Sequence, residues 1–292
     1  MKLFAGLESI VEQDRPLAPE TWLRIGGPAK YFIQPTTVEQ LREVVRRCRE
    51  NSLPMRVLGR GANLLVDDAG VQAAVIHLAG EEFLRVSQTV AGYRVGAAAD
   101  MGKLVLRCVR EGRNGLEGLT GIPGSVGGCV RMNAGGTFGD IGNAVESVDV
   151  MTAEGEVFTR YRGELAFAYR WTNITDPFIL RAEFRLNEDD PHRILKQVKQ
   201  IWIYKKNTQP LAQRNAGCIF KNPRGLSAGA LIDRAGLKGR RVGGAYVAEK
   251  HANFILADAD TKAFDMLKLI EEVRETVYKK AEVYLELEVE VW

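Results

Sequence analysis

Gly121-Ile122-Pro123-Gly124-Ser125-Val126-Gly127-Gly128, continued by Asn133-Ala134-Gly135-Gly136, is the stretch from which the fold of this chain is read. Six glycines fall within sixteen residues, interleaved with Pro, Ser and Asn. Each glycine inside a regular element costs about 0.5–1 kcal/mol relative to alanine, so an ordinary core element does not carry this many. What such a run supplies is backbone N–H groups that approach something large and anionic. The plainer alternative is a Gly-rich surface loop. Its fillers Ile122, Val126 and Val130 are apolar, so the loop is expected to pack inside the molecule.

A second glycine turn lies upstream. Gly59-Arg60-Gly61-Ala62-Asn63-Leu64 follows the predicted strand Met55–Leu58. It is not the dinucleotide fingerprint, because Leu64 stands at the third glycine position and no helix follows. There is no GxxxxGK[ST] phosphate loop either. Taken alone, the turn reads equally well as a tight turn. Two glycine loops in one N-terminal lobe point to a bulky diphosphate cofactor held between two subdomains.

The 292 residues suggest two domains or one large one. Hydrophobic residues are 46% and charged residues 26%, as in ordinary soluble proteins. A net charge of +3, with acids and bases mixed, is too small to argue for nucleic acid, yet it suits an anionic small molecule. Cys48, Cys108, Cys129 and Cys218 make no CxxC pair, and His77, His192 and His251 make no metal motif. No run of about 18 apolar residues exists to span a membrane. The N-terminus has no signal-peptide pattern, so a cytoplasmic protein is expected.

Helical spacing predicts a helix after Thr37 on Val38, Leu41, Val44, Val45 and Cys48, and another over Met101–Glu111. Ala73–Leu78, Glu82–Gln88 and Gly92–Ala97 read as strands, Val145–Met151 and Val157–Arg160 as a hairpin, and Phe178–Leu186 as a long alternating strand. The acidic, apolar-free Asn187–Pro191 reads as a domain boundary. Beyond it come a helix from His192 to about Lys206, a short helix Ala228–Ala235, a helix capped by Asp260 and running to Lys280, and an alternating strand Val283–Trp292.

The run Gly118-Leu119-Thr120-Gly121-Ile122-Pro123-Gly124-Ser125-Val126-Gly127-Gly128, with Met132-Asn133-Ala134-Gly135, resembles the flavin loop of the UDP-N-acetylenolpyruvoylglucosamine reductases (MurB). Leu58–Val66 is similar to the family's first pyrophosphate turn, and Gly217-Cys218-Ile219-Phe220-Lys221-Asn222-Pro223 to its catalytic loop. Glu249–Phe254 and the terminal Leu285-Glu286-Leu287-Glu288 match in order, so the resemblance covers nearly the whole chain. It implies an α+β chain. A two-subdomain FAD-binding domain like that of vanillyl-alcohol oxidase takes residues 1–190, in subdomains of about 1–72 and 73–190, and a small C-terminal α/β substrate domain takes 191–292. Noncovalent FAD, NADPH as co-substrate, UDP-N-acetylglucosamine enolpyruvate as substrate and a monomeric state are the expectations that follow.

The resemblance implies that Gly59, Arg60, Gly61, Ala62, Asn63 and Leu64 bind the cofactor together with Gly121, Ile122, Pro123, Gly124, Ser125, Gly127, Gly128, Asn133, Ala134 and Gly135. Its reaction adds hydride to a vinyl ether conjugated to a carboxylate, so it needs a charge stabiliser and a proton donor. Arg170 stands at the catalytic arginine, where a permanently charged guanidinium grips a carboxylate. Without the flanking pattern it would read as a surface arginine. Cys218 stands where the family more often has serine. A thiol, with an ordinary pKa of about 8.5, is the better acid, and the plain alternative is a small buried hydrophobe. Glu288 matches the second Glu of LExE. On an alternating strand it shares a face with Glu286 and Glu290, which otherwise reads as a solvated acidic face. Tyr169, Lys221, Asn222 and Asn253 are the expected substrate contacts, and no metal is expected. Two departures matter. Ala62 replaces a frequent serine, with Arg60 beside it to compensate by charge, and the interval from Phe178 to Cys218 is too short for the substrate-covering tyrosine loop of the longer subgroup.

Overall fold

Thr37 opens helix α1 (Val38–Glu50) by accepting the Gln40 N–H on its side chain, and Val38, Leu41, Val44, Val45 and Cys48 form the buried stripe that the spacing predicts. In the computed structural model, which describes residues 2–292, the chain divides into two compact units. The first holds the residues up to Gln13, Tyr31–Arg60 and Ala73–Tyr204; the second holds Asp14–Lys30, Gly61–Gln72 and Lys205–Trp292.

In the first unit, Met55–Val57 and Val71–Ile76 pair in parallel in a four-stranded sheet whose other strands are Val11–Pro16 and Pro28–Ile33. The unit boundaries fall within three of these strands. A second, antiparallel sheet has the order Val157–Tyr161, Val145–Met151, Phe178–Arg185, Gly92–Gly96, Val86–Gln88. Along Phe178–Arg185, Leu180, Ala182 and Phe184 are buried while Arg181, Glu183 and Arg185 are more exposed, as the alternation predicts, but Ile179, of the outward parity, is buried and lines the cavity described below. The expected strand Glu82–Gln88 is different. Gly80 takes φ +77° and starts a short helix, α2 (Gly80–Leu84), so only Val86–Gln88 remains as strand. The helix inserts Phe83 into the core and frees the Glu82 carboxylate to accept the Val38 N–H at 3.0 Å and pair with Arg181 at 2.8 Å. Helix α3 (Met101–Arg110) is capped by Asp100. Part of the central glycine run is itself helical: Ser125 accepts the Gly128 N–H and starts α4 (Val126–Arg131), with Val126 and Val130 fully buried.

Helix α5 (Pro191–Thr208) begins at the predicted Pro191 break. The compact units divide later, after Tyr204, because Ile194 and Val198 of α5 belong to the first unit's core. Residues 14–30 and 61–72, expected within the first subdomain, fall in the second unit.

In the second unit, an antiparallel sheet of order Arg214–Cys218, Phe254–Ala257, Ala245–Val247, Arg241–Val242 packs with α6 (Ala228–Arg234) and α7 (Ala263–Ala281). Asp260 does not cap α7. The Asp68 carboxylate does, accepting the N–H groups of Ala263 at 2.9 Å and Phe264 at 3.1 Å. The expected strand Val283–Trp292 is also broken, because Leu287 bridges Phe220 while Glu290–Val291 pairs in parallel with Leu64–Leu65. One segment that serves two partners cannot keep one ladder. Among the described residues no helix is long and apolar enough to cross a membrane.

Removing the Asp68 cap leaves two N–H groups of α7 without their acceptor. Asp68→Ala is expected to destabilise the protein by about 1–2 kcal/mol, read as an earlier denaturation midpoint, with Asp68→Asn retaining part of the loss.

Candidate cofactor and active site

A cavity of about 110 Å³ opens in the first unit where the two glycine loops meet. Leu58, Gly59 and Arg60 line it from the first loop, and Ser125, Gly127 and Gly128 from the second. A Cβ on Gly59 would lie 2.7 Å from Ser125 Oγ, and one on Gly127 would lie 2.8 Å from the Ala97 Cβ. Glycine at 127 lets α4 pack this close against Ala97, and a Cβ at 59 would displace the Ser125 hydroxyl from its place at the start of α4. Arg60 Nε lies 3.3 Å from Asp100 Oδ2, so the guanidinium is held beside the cavity. Contrary to the sequence expectation, the N–H groups of Val126, Gly127 and Gly128 are spent on Ala99 O, Ala97 O and Ser125 Oγ, so a cation, a hydroxyl and a side-chain-free backbone are what face an anionic diphosphate here.

Gly121, Ile122, Pro123, Gly124, Asn133, Ala134 and Gly135 do not line this cavity. Asn133 is buried with φ +46°; its Oδ1 accepts the Gly142 N–H at 3.0 Å and its Nδ2 donates to Ala168 O at 2.8 Å. The amide therefore ties the glycine run to the hairpin of Phe167–Ala168 and Trp171–Thr172. Tyr169 and Arg170 are the two turn residues of that hairpin. Arg170 has φ +54°, a left-handed conformation that is unfavourable by about 1–2 kcal/mol for an L-residue. Its guanidinium lies over the Tyr169 ring, 5.2 Å from the centroid.

In the second unit, the strand Arg214–Cys218 loses register with Phe254–Ala257 between Asn215 and Cys218, and Gly217 there takes φ +76°. A bulge of this kind re-aims the side chain that follows it. Cys218 is half-buried, whereas burial pushes the Cys48 thiol up to about 11 and those of Cys108 and Cys129 up to about 12. Three cysteines are thus inert packing residues, and Cys218 stands apart from them. The backbone of Glu288 is brought to the same loop: its N–H donates to Ile219 O at 2.8 Å and its carbonyl accepts Asn63 Nδ2 at 2.9 Å. Glu288 is half-buried, while Glu286 and Glu290 are exposed.

Asn253 is buried and clamps Phe220, with Oδ1 accepting the Phe220 N–H at 3.0 Å and Nδ2 donating to Phe220 O at 2.8 Å. Asn222 Oδ1 accepts the Ala228 N–H at 3.0 Å, and Lys221 Nζ lies 3.6 Å from Glu286 Oε2. Gly61, Ala62, Asn63 and Leu64 belong to the second unit, where Gly61 O accepts the Trp22 N–H at 3.0 Å and Leu64 pairs with Glu290. Sequence reasoning missed His77, Ala97 and Arg131, which line the cavity. Arg131 donates to the carbonyls of Ile174, Asp176 and Pro177, and nothing in its sequence neighbourhood distinguishes it from a surface arginine.

Burial holds His251 below its ordinary value of 6.5, and its Nδ1 accepts the Asn253 N–H at 3.3 Å. A neutral native imidazole is protonated more readily in the unfolded chain, so its contribution to stability is present above pH 6.5 and lost as pH falls below it. The melting temperature of the native sequence is expected to fall more steeply between pH 7 and pH 5 than that of His251→Asn. The strained turn gives a second expectation: Arg170→Gly should be about 1 kcal/mol more stable than Arg170→Ala, measured by denaturant unfolding.

An FAD binding domain profile matches residues 29–160, and a profile of the UDP-N-acetylenolpyruvoylglucosamine reductase C-terminal domain matches residues 209–292. The UDP-N-acetylenolpyruvoylglucosamine reductase of Lachnoclostridium phytofermentans is 38% identical over 97% of this chain and 94% of its own. UDP-N-acetylenolpyruvoylglucosamine reductase 2 of Symbiobacterium thermophilum is 39% identical over 97% of this chain and 92% of its own. The crystal structure of UDP-N-acetylenolpyruvylglucosamine reductase (MurB) from Thermus caldophilus superposes with a TM-score of 0.83 at 40% identity, covering 97% of this chain and 98% of that one. Phl p 4.0202, a glucose dehydrogenase, shares the fold alone: TM-score 0.50 and 15% identity over 65% of this chain and 45% of that one.

Proposed function

This chain belongs to the UDP-N-acetylenolpyruvoylglucosamine reductase family and is an FAD-dependent, NADPH-linked reductase of peptidoglycan precursor synthesis, and we propose how its own residues carry that reaction. The observation that supports the reading most directly is the closure of two glycine loops on each other at Gly59 and Ser125, beside the Arg60 guanidinium. In this reading the first unit holds the cofactor. Gly59, Arg60, Ser125, Gly127 and Gly128 cradle its pyrophosphate, and Arg60 supplies charge where Ala62 lacks a hydroxyl. The run Gly121–Gly124 and the segment Asn133–Gly135 shape the approach to it.

When bound, FAD supplies the hydride, drawn from NADPH, that the terminal vinyl carbon of UDP-N-acetylglucosamine enolpyruvate accepts. Charge then develops on the substrate carboxylate. Arg170 grips that carboxylate with two parallel N–H groups and stabilises the enolate. Glu288 takes part in polarising the developing enolate. Cys218 delivers its thiol proton to the carbon bearing the ether oxygen, a transfer that a group of ordinary pKa about 8.5 makes from its protonated form at neutral pH. Tyr169 and Lys221 contact the sugar nucleotide, while Asn222 and Asn253 support the backbone that presents Lys221. The second unit, in this reading, is the substrate domain, and the enzyme works as a monomer in the cytoplasm. An oxidase acting on an alcohol or sugar is not favoured, since the glucose dehydrogenase likeness is one of fold.

Anaerobic flavin spectroscopy tests the assignment of roles. Cys218→Ala should keep bleaching of the flavin by NADPH and slow its recovery on adding the enolpyruvyl sugar about 10²-fold or more. Cys218→Ser should retain measurable turnover. Equal damage to both half-reactions would remove Cys218 from the chemistry.

A further inference from the structure

The parallel ladder between Met55–Val57 and Val71–Ile76 ends at Leu58, whose N–H still donates to Ile76 O at 2.9 Å. The next residue on the facing strand is His77. Its own N–H turns to Ile33 O at 2.9 Å, so its backbone does not serve the Leu58 carbonyl. Its side chain does, with Nδ1 lying 3.1 Å from Leu58 O. A carbonyl oxygen only accepts, so Nδ1 carries the proton and donates. The ring is held flat against buried Phe32, with centroids 5.9 Å apart and planes 23° apart. His77, Leu58, Gly59 and Arg60 all line the same cavity.

From this juxtaposition we infer that His77 is a positioning residue of the cofactor site, fixing the Leu58 carbonyl and thereby the Gly59-Arg60 turn. The physical reason is the planar peptide. The Leu58 carbonyl and the Gly59 N–H belong to one rigid unit and point to opposite sides of the chain. Holding the oxygen sets the direction of the N–H. Gly59 has no side chain to anchor the turn, and a Cβ there would strike Ser125 Oγ, so the anchor has to come from a neighbour. The stacked ring supplies a donor whose direction is already set before the cofactor arrives.

The inference rests on the reading that this cavity takes the cofactor's pyrophosphate, and the experiment separates the two. FAD release from the full-length holoenzyme is followed by flavin fluorescence after dilution. His77→Phe keeps the flat ring and removes the donor; release should become about three- to tenfold faster, the effect of one lost hydrogen bond. His77→Asn, whose Nδ2 reaches the place of Nδ1, should return release to near the native rate. Native-like release from His77→Phe, or release from His77→Asn as fast as from His77→Phe, overturns the inference. Should His77→Phe not fold, His77→Asp replaces it. It matches Asn in shape but presents an acceptor to an acceptor, and equal rates for Asp and Asn overturn the inference. Gly127→Val is the control on the reading beneath it: FAD retained as in the native protein would overturn the cavity assignment and the role of His77 with it.

Discussion

The cavity of the first unit rests on close approach at two glycines. Side chains on Gly59 and Gly127 would occupy the space that Ser125 Oγ and the Ala97 Cβ now fill. Glycine at 127 lets α4 pack against Ala97, glycine at 59 leaves Ser125 Oγ in its capping place, and the cavity lies between. The arrangement has a cost, since backbone without side chains is conformationally loose. Fixed groups around it offset that looseness. Ser125 caps α4, Asp100 caps α3 and holds Arg60, and the Val126 and Gly127 N–H groups bond to the Ala99 and Ala97 carbonyls at 2.9 and 2.8 Å. A flexible sequence becomes a rigid cradle because its polar groups are satisfied locally.

The second unit uses a different device. Its loop Gly217–Pro223 is held from both sides by residues distant in sequence. Asn253 pairs with the Phe220 backbone as a strand neighbour would. The segment Glu286–Val289 supplies the other side, through Lys221 N–H to Glu286 O at 2.8 Å and Glu288 N–H to Ile219 O. Asn63 in turn holds the Glu288 carbonyl. Side-chain amides thus do the work of a missing ladder, hydrogen-bonding the backbone at Phe220 and Glu288 where the bulge and the broken strand interrupt regular pairing.

Much of this was legible in the sequence because it is local. The α1 and α3 stripes, the alternation of Phe178–Arg185 and the break at Pro191 need only neighbours in the chain. In the glycine run Val126 and Val130 are buried as its apolar fillers predict, whereas Ile122 is half-buried and Gly128 exposed, and the Ser125 cap makes its second half a helix. What stayed hidden depends on partners far away. Asp68 caps a helix that begins at Ala263, Glu82 leaves an expected strand to reach Val38 and Arg181, and the last segment divides itself between Phe220 and Leu64–Leu65. The residues of the site divide in the same way. Gly59, Ser125 and Gly127 announce themselves by composition, whereas His77 and Arg131 enter only through the space they border.

The Arg170 turn carries a dynamic consequence. Its strands are two residues each, Tyr169 and Trp171 are each 52% exposed, and the turn itself is strained. An exposed tip on a strained link is what local opening below global unfolding draws on. The buried Asn133 amide, bonded to Ala168 O, ties the hairpin to the glycine run and works against such opening. The Arg170 guanidinium is thus carried on a turn whose resistance to local opening is tied to one buried amide, so loosening that amide is expected to raise hydrogen exchange in this hairpin before it does so in Val145–Met151.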